Sequence, residues 1–143
     1  MDILNTFKIS GSALKAQSMR LNIISSNLAN VETTSTPEGG AYKKKSVYFQ
    51  SAPLTFQQQL EGNMKEGMQG VKVTKITEDQ TAPRKVYNPS HPDAKDDGYV
   101  EMPNISVLEE MVDMMSATRS YQANVTSIKM AKRMAMKALE IGR

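Results

Sequence analysis

The only histidine, His91, lies in Asn88-Pro89-Ser90-His91-Pro92-Asp93, with Asp96 and Asp97 just beyond it. These are the residues whose types best suit a cation or a proton transfer. A zinc-type site needs three or four ligands at defined spacing, and the chain has no second His and no Cys to supply them. The acids of Asp93-Ala94-Lys95-Asp96-Asp97-Gly98 also lack the alternating oxygen ligands of a calcium loop. Gly39-Gly40 and Gly67-Met68-Gln69-Gly70 do not open a helix as a phosphate cradle must. Ser, His and Asp all occur, but nothing in their order prepares a nucleophile. The expectation is therefore a solvated turn at His91, with no catalytic, cofactor-binding or metal-binding residue.

Two basic segments could bind a partner. Lys43-Lys44-Lys45 has no aromatic stacking platform and reads as a solvated strand edge, where lysines discourage unwanted pairing rather than hold nucleic acid. Lys129-Met130-Ala131-Lys132-Arg133-Met134-Ala135-Met136-Lys137 is basic, Met-rich and amphipathic, so it could lie on an anionic membrane or fill a protein groove. It lacks the Trp or Phe that would favour membrane insertion. A membrane-surface or partner-binding adaptor acting through this segment is the alternative to a role in assembly.

The elements that carry these segments are dominated by the two ends of the chain. Ile3, Phe7, Ser10, Leu14, Gln17, Leu21, Ile24, Leu28 and Val31 step by fours and threes, with Ser10 and Gln17 the polar exceptions. Val107, Met111, Met114, Thr118, Tyr121, Val125, Ile128, Lys132, Ala135 and Leu139 repeat the pattern, interrupted by Thr118 and Lys132. A seam with a period of about 3.5 residues is what one helix shows another in a coiled coil. The spacing predicts one helix from 3 to about 30, on the order of 40 Å long, and a second over 105–141, roughly 55 Å long. Gly11 costs the first about 1 kcal/mol relative to Ala. Ile9, Ala13, Ala16, Ile23 and Ala29 widen its apolar stripe, which suggests more than one helical partner. Asn27-Leu28-Ala29-Asn30 should end it, because Asn accepts the left-handed conformation that terminates helices and its side chain can bond nearby backbone. Asn104 or Ser106 should cap the second, whose early acids and late bases complement the helix dipole.

Between the helices the period changes to two. Strands are expected at Tyr42–Ser51, Val71–Thr77 and Arg84–Tyr87, residues 88–98 read as a punctuated loop followed by Tyr99–Pro103, and residues 54–68 could be short helix or loop. The fold class is thus mainly α with a small β insert. Residues 1–34 and 104–143 form a discontinuous helical core, and residues 35–103 form the β-rich insert.

Composition bounds this reading. The 143 residues are 39% hydrophobic and 6% aromatic, with 11 Met and no Trp, which is thin for a globular core. The net charge of +3 does not call for nucleic acid. The N-terminus has no continuous apolar run behind a basic segment, so no Sec-type signal peptide is expected, and no stretch approaches the roughly 18 apolar residues of a membrane span.

Ser26-Asn27-Leu28-Ala29-Asn30 behind an amphipathic helix resembles the NNLAN signature of bacterial flagellar rod and hook axial proteins. Three further segments resemble its proximal-rod members: Thr36 to Lys45; His91-Pro92-Asp93-Ala94 with Gly98 to Asn104; and Glu109 to Met114 with Arg119 to Val125. The chain departs from the family at Ser26, where Asn is commoner, and at Val31-Glu32-Thr33, where a second Ala-Asn step is usual. The resemblance implies a structural, non-enzymatic subunit without cofactors, exported by the flagellar type III apparatus without a cleaved signal peptide. It implies assembly in the periplasm into a helical tube that transmits torque and surrounds the export channel. The implied partners are other copies, other proximal rod subunits, the rod-to-membrane-ring adaptor and the adjoining distal rod proteins, with no nucleic acid and no stable membrane insertion. On that reading the assembly seams are Ile3, Phe7, Leu14, Leu21, Ile24 and Leu28 on the first helix, and Val107, Met111, Met114, Tyr121, Val125, Ile128, Ala135 and Leu139 on the second.

Overall fold

The computed structural model describes residues 3–52 and 69–141, and the expectation of helix or loop at 54–68 lies outside the described residues. Helix α1 covers Ile3–Ala29 and helix α2 covers Val107–Ile141. Between them come β1 (Lys45–Ser51), β2 (Val71–Glu78), β3 (Arg84–Tyr87) and β4 (Tyr99–Met102). The chain is mainly helical with a β insert.

The helices run antiparallel, since Asn27 near the end of α1 meets Glu110 near the start of α2, and Arg20 meets Asp113 one turn further in. Ser106 opens α2 by capping: its carbonyl accepts the Glu110 amide at 3.0 Å, and its hydroxyl faces the Glu109 amide. Of the two devices expected of Asn at the end of α1, the structure uses the side-chain bond. No described non-glycine residue has a positive φ, so Asn30 does not end α1 in the left-handed conformation. Its backbone amide and its side-chain Nδ2 both donate to the Ser26 carbonyl instead, at 3.1 and 2.8 Å. An Asn side chain can satisfy an orphan helix carbonyl without any special backbone angle.

The β insert is two separate antiparallel ribbons, β1–β2 and β3–β4, rather than one sheet. Lys43 and Lys44 precede β1, so the strand expected from Tyr42 starts later. In the first ribbon Tyr48 pairs with Lys75 and Phe49 with Val73, leaving Thr74 as a bulge. That extra residue explains how Val71, Val73 and Ile76 share one face despite the three-residue step, because each lies opposite an alternate residue of β1. The ribbon docks on α1 through Ser12, whose hydroxyl accepts the Val71 amide at 2.9 Å and donates to the Ile9 carbonyl at 2.7 Å.

The second ribbon turns through Gly98, whose φ of +75° is closed to most side chains. A Cβ there would also sit 2.9 Å from the Tyr87 ring, which packs edge-to-face on Tyr99. The ribbon is tied to the α1–β1 connection by Thr34, which donates to Asp93 at 2.6 Å. His91 accepts the Asp93 amide through Nδ1 at 3.1 Å, so the imidazole shapes its own turn. Among the described residues the buried apolar side chains are Ala16, Ile24, Val100, Ala117 and Ala131, a thin core in which small residues predominate.

Candidate functional site

Where the last full turn of α1 crosses the first turn of α2 and the entry to β1, three segments meet at a buried polar node. Asn27, 1% exposed, sits at its centre. Its Nδ2 donates to the Lys45 carbonyl at 2.9 Å and to Glu110 Oε2 at 3.1 Å. Its Oδ1 accepts the Lys45 amide at 2.9 Å and the Tyr42 hydroxyl at 3.1 Å. All the hydrogen-bonding capacity of the amide is thereby used. Toward Lys45 the Asn27 side chain behaves as a neighbouring strand would, exchanging a donor and an acceptor with one residue's backbone.

Glu110, 2% exposed, is a carboxylate held almost out of water. Its Oε1 takes the Lys44 ammonium at 2.7 Å while Oε2 takes Asn27. A buried charge is tolerated only when paired and hydrogen-bonded, and here both oxygens are engaged. The hydrogen bond to Glu110 holds the Lys44 pKa above its ordinary value; the charges of Glu110, Glu109 and Asp113 add to this, and partial burial opposes it. Lys45 reaches Glu78 across the ribbon at 3.6 Å. The lysine run expected at a solvated edge is therefore divided: Lys43 is exposed, Lys44 neutralises the interior, and Lys45 clasps β2.

The two helices bury a narrower set of positions than the apolar pattern marks. On α2 the fully buried positions are Glu110, Ala117 and Ala131, which with half-buried Asn124 form one heptad column. Beside it Met114, Val125, Ile128 and Ala135 are half-buried, while Val107, Met111, Tyr121 and Leu139 are exposed in the single chain. On α1, which Ile3 opens, Ser10, Ala16, Ile24 and Asn27 are buried. Phe7, Leu14, Leu21, Leu28 and Asn30 are half-buried, and Ala29 is exposed. Small residues at the closest approach let helix axes come together, so Ala117 and Ala131 take the centre and the larger apolar residues flank it. Midway along the seam Gln17 Oε1 is buried without a hydrogen-bond partner among the described residues.

Sequence reasoning missed Glu110, Lys44 and Tyr42 as members of one cluster. The available signal was the spacing of Glu110, Ala117, Asn124 and Ala131, an unbroken heptad column of small and polar residues next to the apolar one. Among the described residues no three of His, Asp and Glu gather as a metal site would require, and no helix is long and apolar enough to cross a membrane. Asp79 in the β2–β3 connection and Glu101 on β4 have lowered pKa values, the first through hydrogen bonds from Thr81 and the second through its bond to Lys95.

Comparison with known proteins gives this architecture a kinship. The family described as flagella basal body rod protein matches residues 7–35, and the family described as flagellar basal body rod FlgEFG protein C-terminal matches residues 96–141. The flagellar basal-body rod protein FlgC of Bacillus subtilis (strain 168) is 45% identical, with the whole of both chains covered. The protein of that name from Salmonella typhimurium (strain LT2) is 44% identical over 99% of each chain. The chain belongs to the flagellar basal-body rod protein FlgC family. Its role is that of a structural subunit of the basal-body rod. FlgC of Borreliella burgdorferi, 38% identical, covers 99% of this chain with 98% of its own. The two matched segments contain the two halves of the node, Asn27 on α1 and Glu110 on α2, and the Tyr42–Lys45 segment that joins them lies between.

Proposed function

We propose that this chain builds the proximal part of the rod, stacking with other copies and with neighbouring rod subunits into a helical tube. The terminal helices form a discontinuous core over residues 1–34 and 104–143 that packs toward the axis and surrounds the export channel. Residues 35–103 form the outward insert that meets neighbouring subunits. The observation that carries this reading is the antiparallel α1–α2 pair, which buries little apolar surface of its own and leaves large apolar side chains exposed along α2. Such a pair gains most of its stability from further helices packed against it.

On this reading the protein is not an enzyme and binds no cofactor. It passes through the flagellar type III export apparatus without a cleaved signal peptide, and it contacts other rod subunits, the rod-to-membrane-ring adaptor and the distal rod proteins. Torque travels through close-packed helices rather than through chemistry. The assembly seams proposed for α1 and α2 include both half-buried positions, such as Leu21 and Val125, and exposed ones, such as Met111 and Leu139.

Electron cryotomography of basal bodies from cells lacking the gene tests the reading. Missing or truncated rods above an intact membrane ring support it, and complete rods in motile cells refute it. The adaptor alternative, acting through the basic end of α2, needs no α1. Removal of residues 2–30 would then leave function intact, whereas a rod subunit would be lost.

A further inference from the structure

Each helix has a second face that no other described element covers. On the outside of α1 a heptad column of Gly11, Ser18 and Ser25 runs beside Lys8, Lys15 and Asn22, and all six are exposed. Among the described residues nothing packs closely on Gly11. Its backbone is helical without a positive φ, and a Cβ added there would meet nothing within 4 Å. Glycine weakens a helix interior relative to Ala, and an external backbone or side chain packed closely here would account for it.

The first three turns of α2 carry the complementary shape. Leu108, Met111, Val112 and Met115 form a ridge of large apolar side chains, each at least half exposed, on the side of α2 away from α1. Exposed Glu109 flanks this ridge. Charge decides which part of α2 can meet the lysine-lined face of α1. Beyond Met115 the same outer side carries Arg119, Lys129 and Arg133, all exposed, which would repel Lys8 and Lys15. The ridge next to Glu109 offers apolar bulk and a negative charge together; near the far end of α2 the carboxylate of Glu140 is already taken by Lys137 at 2.6 Å.

We propose that the Leu108–Met115 ridge of α2 docks on the small-residue outer face of α1 of a second copy, with Glu109 against its Lys8–Lys15 column. The two faces point away from each other within one chain, so they cannot satisfy one another intramolecularly. A contact between different patches is heterologous and propagates into a ring or helix instead of closing as a dimer. The inference deepens the rod reading by naming one contact between copies.

The test uses the absence of native cysteine. Two differently tagged full-length variants, Lys15→Cys and Met111→Cys, are co-expressed in cells lacking the gene, and isolated basal bodies are oxidised. A disulfide-linked species carrying both tags is expected. Adding Gly11→Leu to the Lys15→Cys chain should cut its yield by about tenfold or more, the effect of one misfit side chain at the centre of an interface. The melting temperature of that chain should not fall, since Leu at this exposed site has open space. Incorporation of both cysteine variants without the linked species overturns the contact. If neither the wild-type chain nor the variants enter basal bodies, the rod reading fails. The purified variants mixed at high concentration then decide the contact alone: a linked species retains it, and none overturns it.

Discussion

The Asn27 amide donates to Glu110 at 3.1 Å although 83 residues separate them, and the same amide pairs with the backbone of Lys45. Helix register, helix orientation and the docking of the β1–β2 ribbon are therefore set at one point. Buried polar groups are best attested as devices that fix register, because any slip leaves a donor or a charge unpaired. Replacing Asn27 by Asp removes both donors and sets a second carboxylate beside Glu110. The expected cost is about 3–5 kcal/mol, as for a buried pair that loses a partner. Adding Glu110→Gln should recover part of it by relieving the repulsion. Urea unfolding with unchanged slope reads both changes, and a loss below about 1 kcal/mol would show that the node is open to water.

The Lys44–Glu110 pair gives the node a pH signature. Lys44 is raised above the ordinary lysine value of 10.5, first by its hydrogen bond to Glu110, so the folded state holds this proton more tightly than the unfolded state does. Its contribution is complete below 10.5 and disappears as pH rises through the higher folded value. The stability difference between the wild type and Lys44→Met should then be constant through neutral pH and shrink only in the alkaline range above about 10.5. Denaturant midpoints of both chains across pH 7–12 measure it; a difference that does not shrink above that pH would mean the ammonium plays no part.

Much of this architecture was legible because periodicity reports which residues share a face. The limits of α1 and α2 and the positions of β2 and β3 follow from it almost to the residue. The helix seam was legible only in part. One column, Met114 to Ala135, carries large apolar residues and stands out, whereas the column at closest approach contains Glu110 and Asn124 and reads as polar. Glu110 can occupy it only because Lys44 and Asn27 reach it from distant segments, and no local pattern announces such a partner. The ending of α1 was placed correctly at Asn27–Asn30, with two devices open, and the structure uses the side-chain one. A side-chain bond from Asn30 to Ser26 and a left-handed backbone look alike in sequence, since both favour Asn.

Gly98 tests the second ribbon separately from the helices. Its φ of +75°, and a Tyr87 ring only 2.9 Å from where a Cβ would stand, both oppose any side chain. Gly98→Ala should cost about 1–3 kcal/mol and loosen the Tyr87–Tyr99 pair. Amide exchange should quicken in β3 and β4 while the helix seam keeps its protection, and an unchanged ribbon would show that the turn relaxes freely.

Two substitutions on α2 separate the surface that folds the chain from the surface that assembles it. Ala117 is fully buried at the centre of the seam, so Ala117→Leu overpacks it and should cost about 1–3 kcal/mol. Met111 is half exposed nearer the start of the helix, and Met111→Asp places its charge in water, within about 0.5 kcal/mol of the wild type in the isolated chain. The order reverses in assembly. In a packed rod the carboxylate introduced by Met111→Asp would be buried without a partner, which costs far more than a crowded methyl group. Met111→Asp should therefore melt like the wild type yet be absent from isolated basal bodies, while Ala117→Leu should melt earlier and still be incorporated at permissive temperature. Normal incorporation of Met111→Asp would place the outer ridge of α2 on the rod surface and remove it from any contact between subunits.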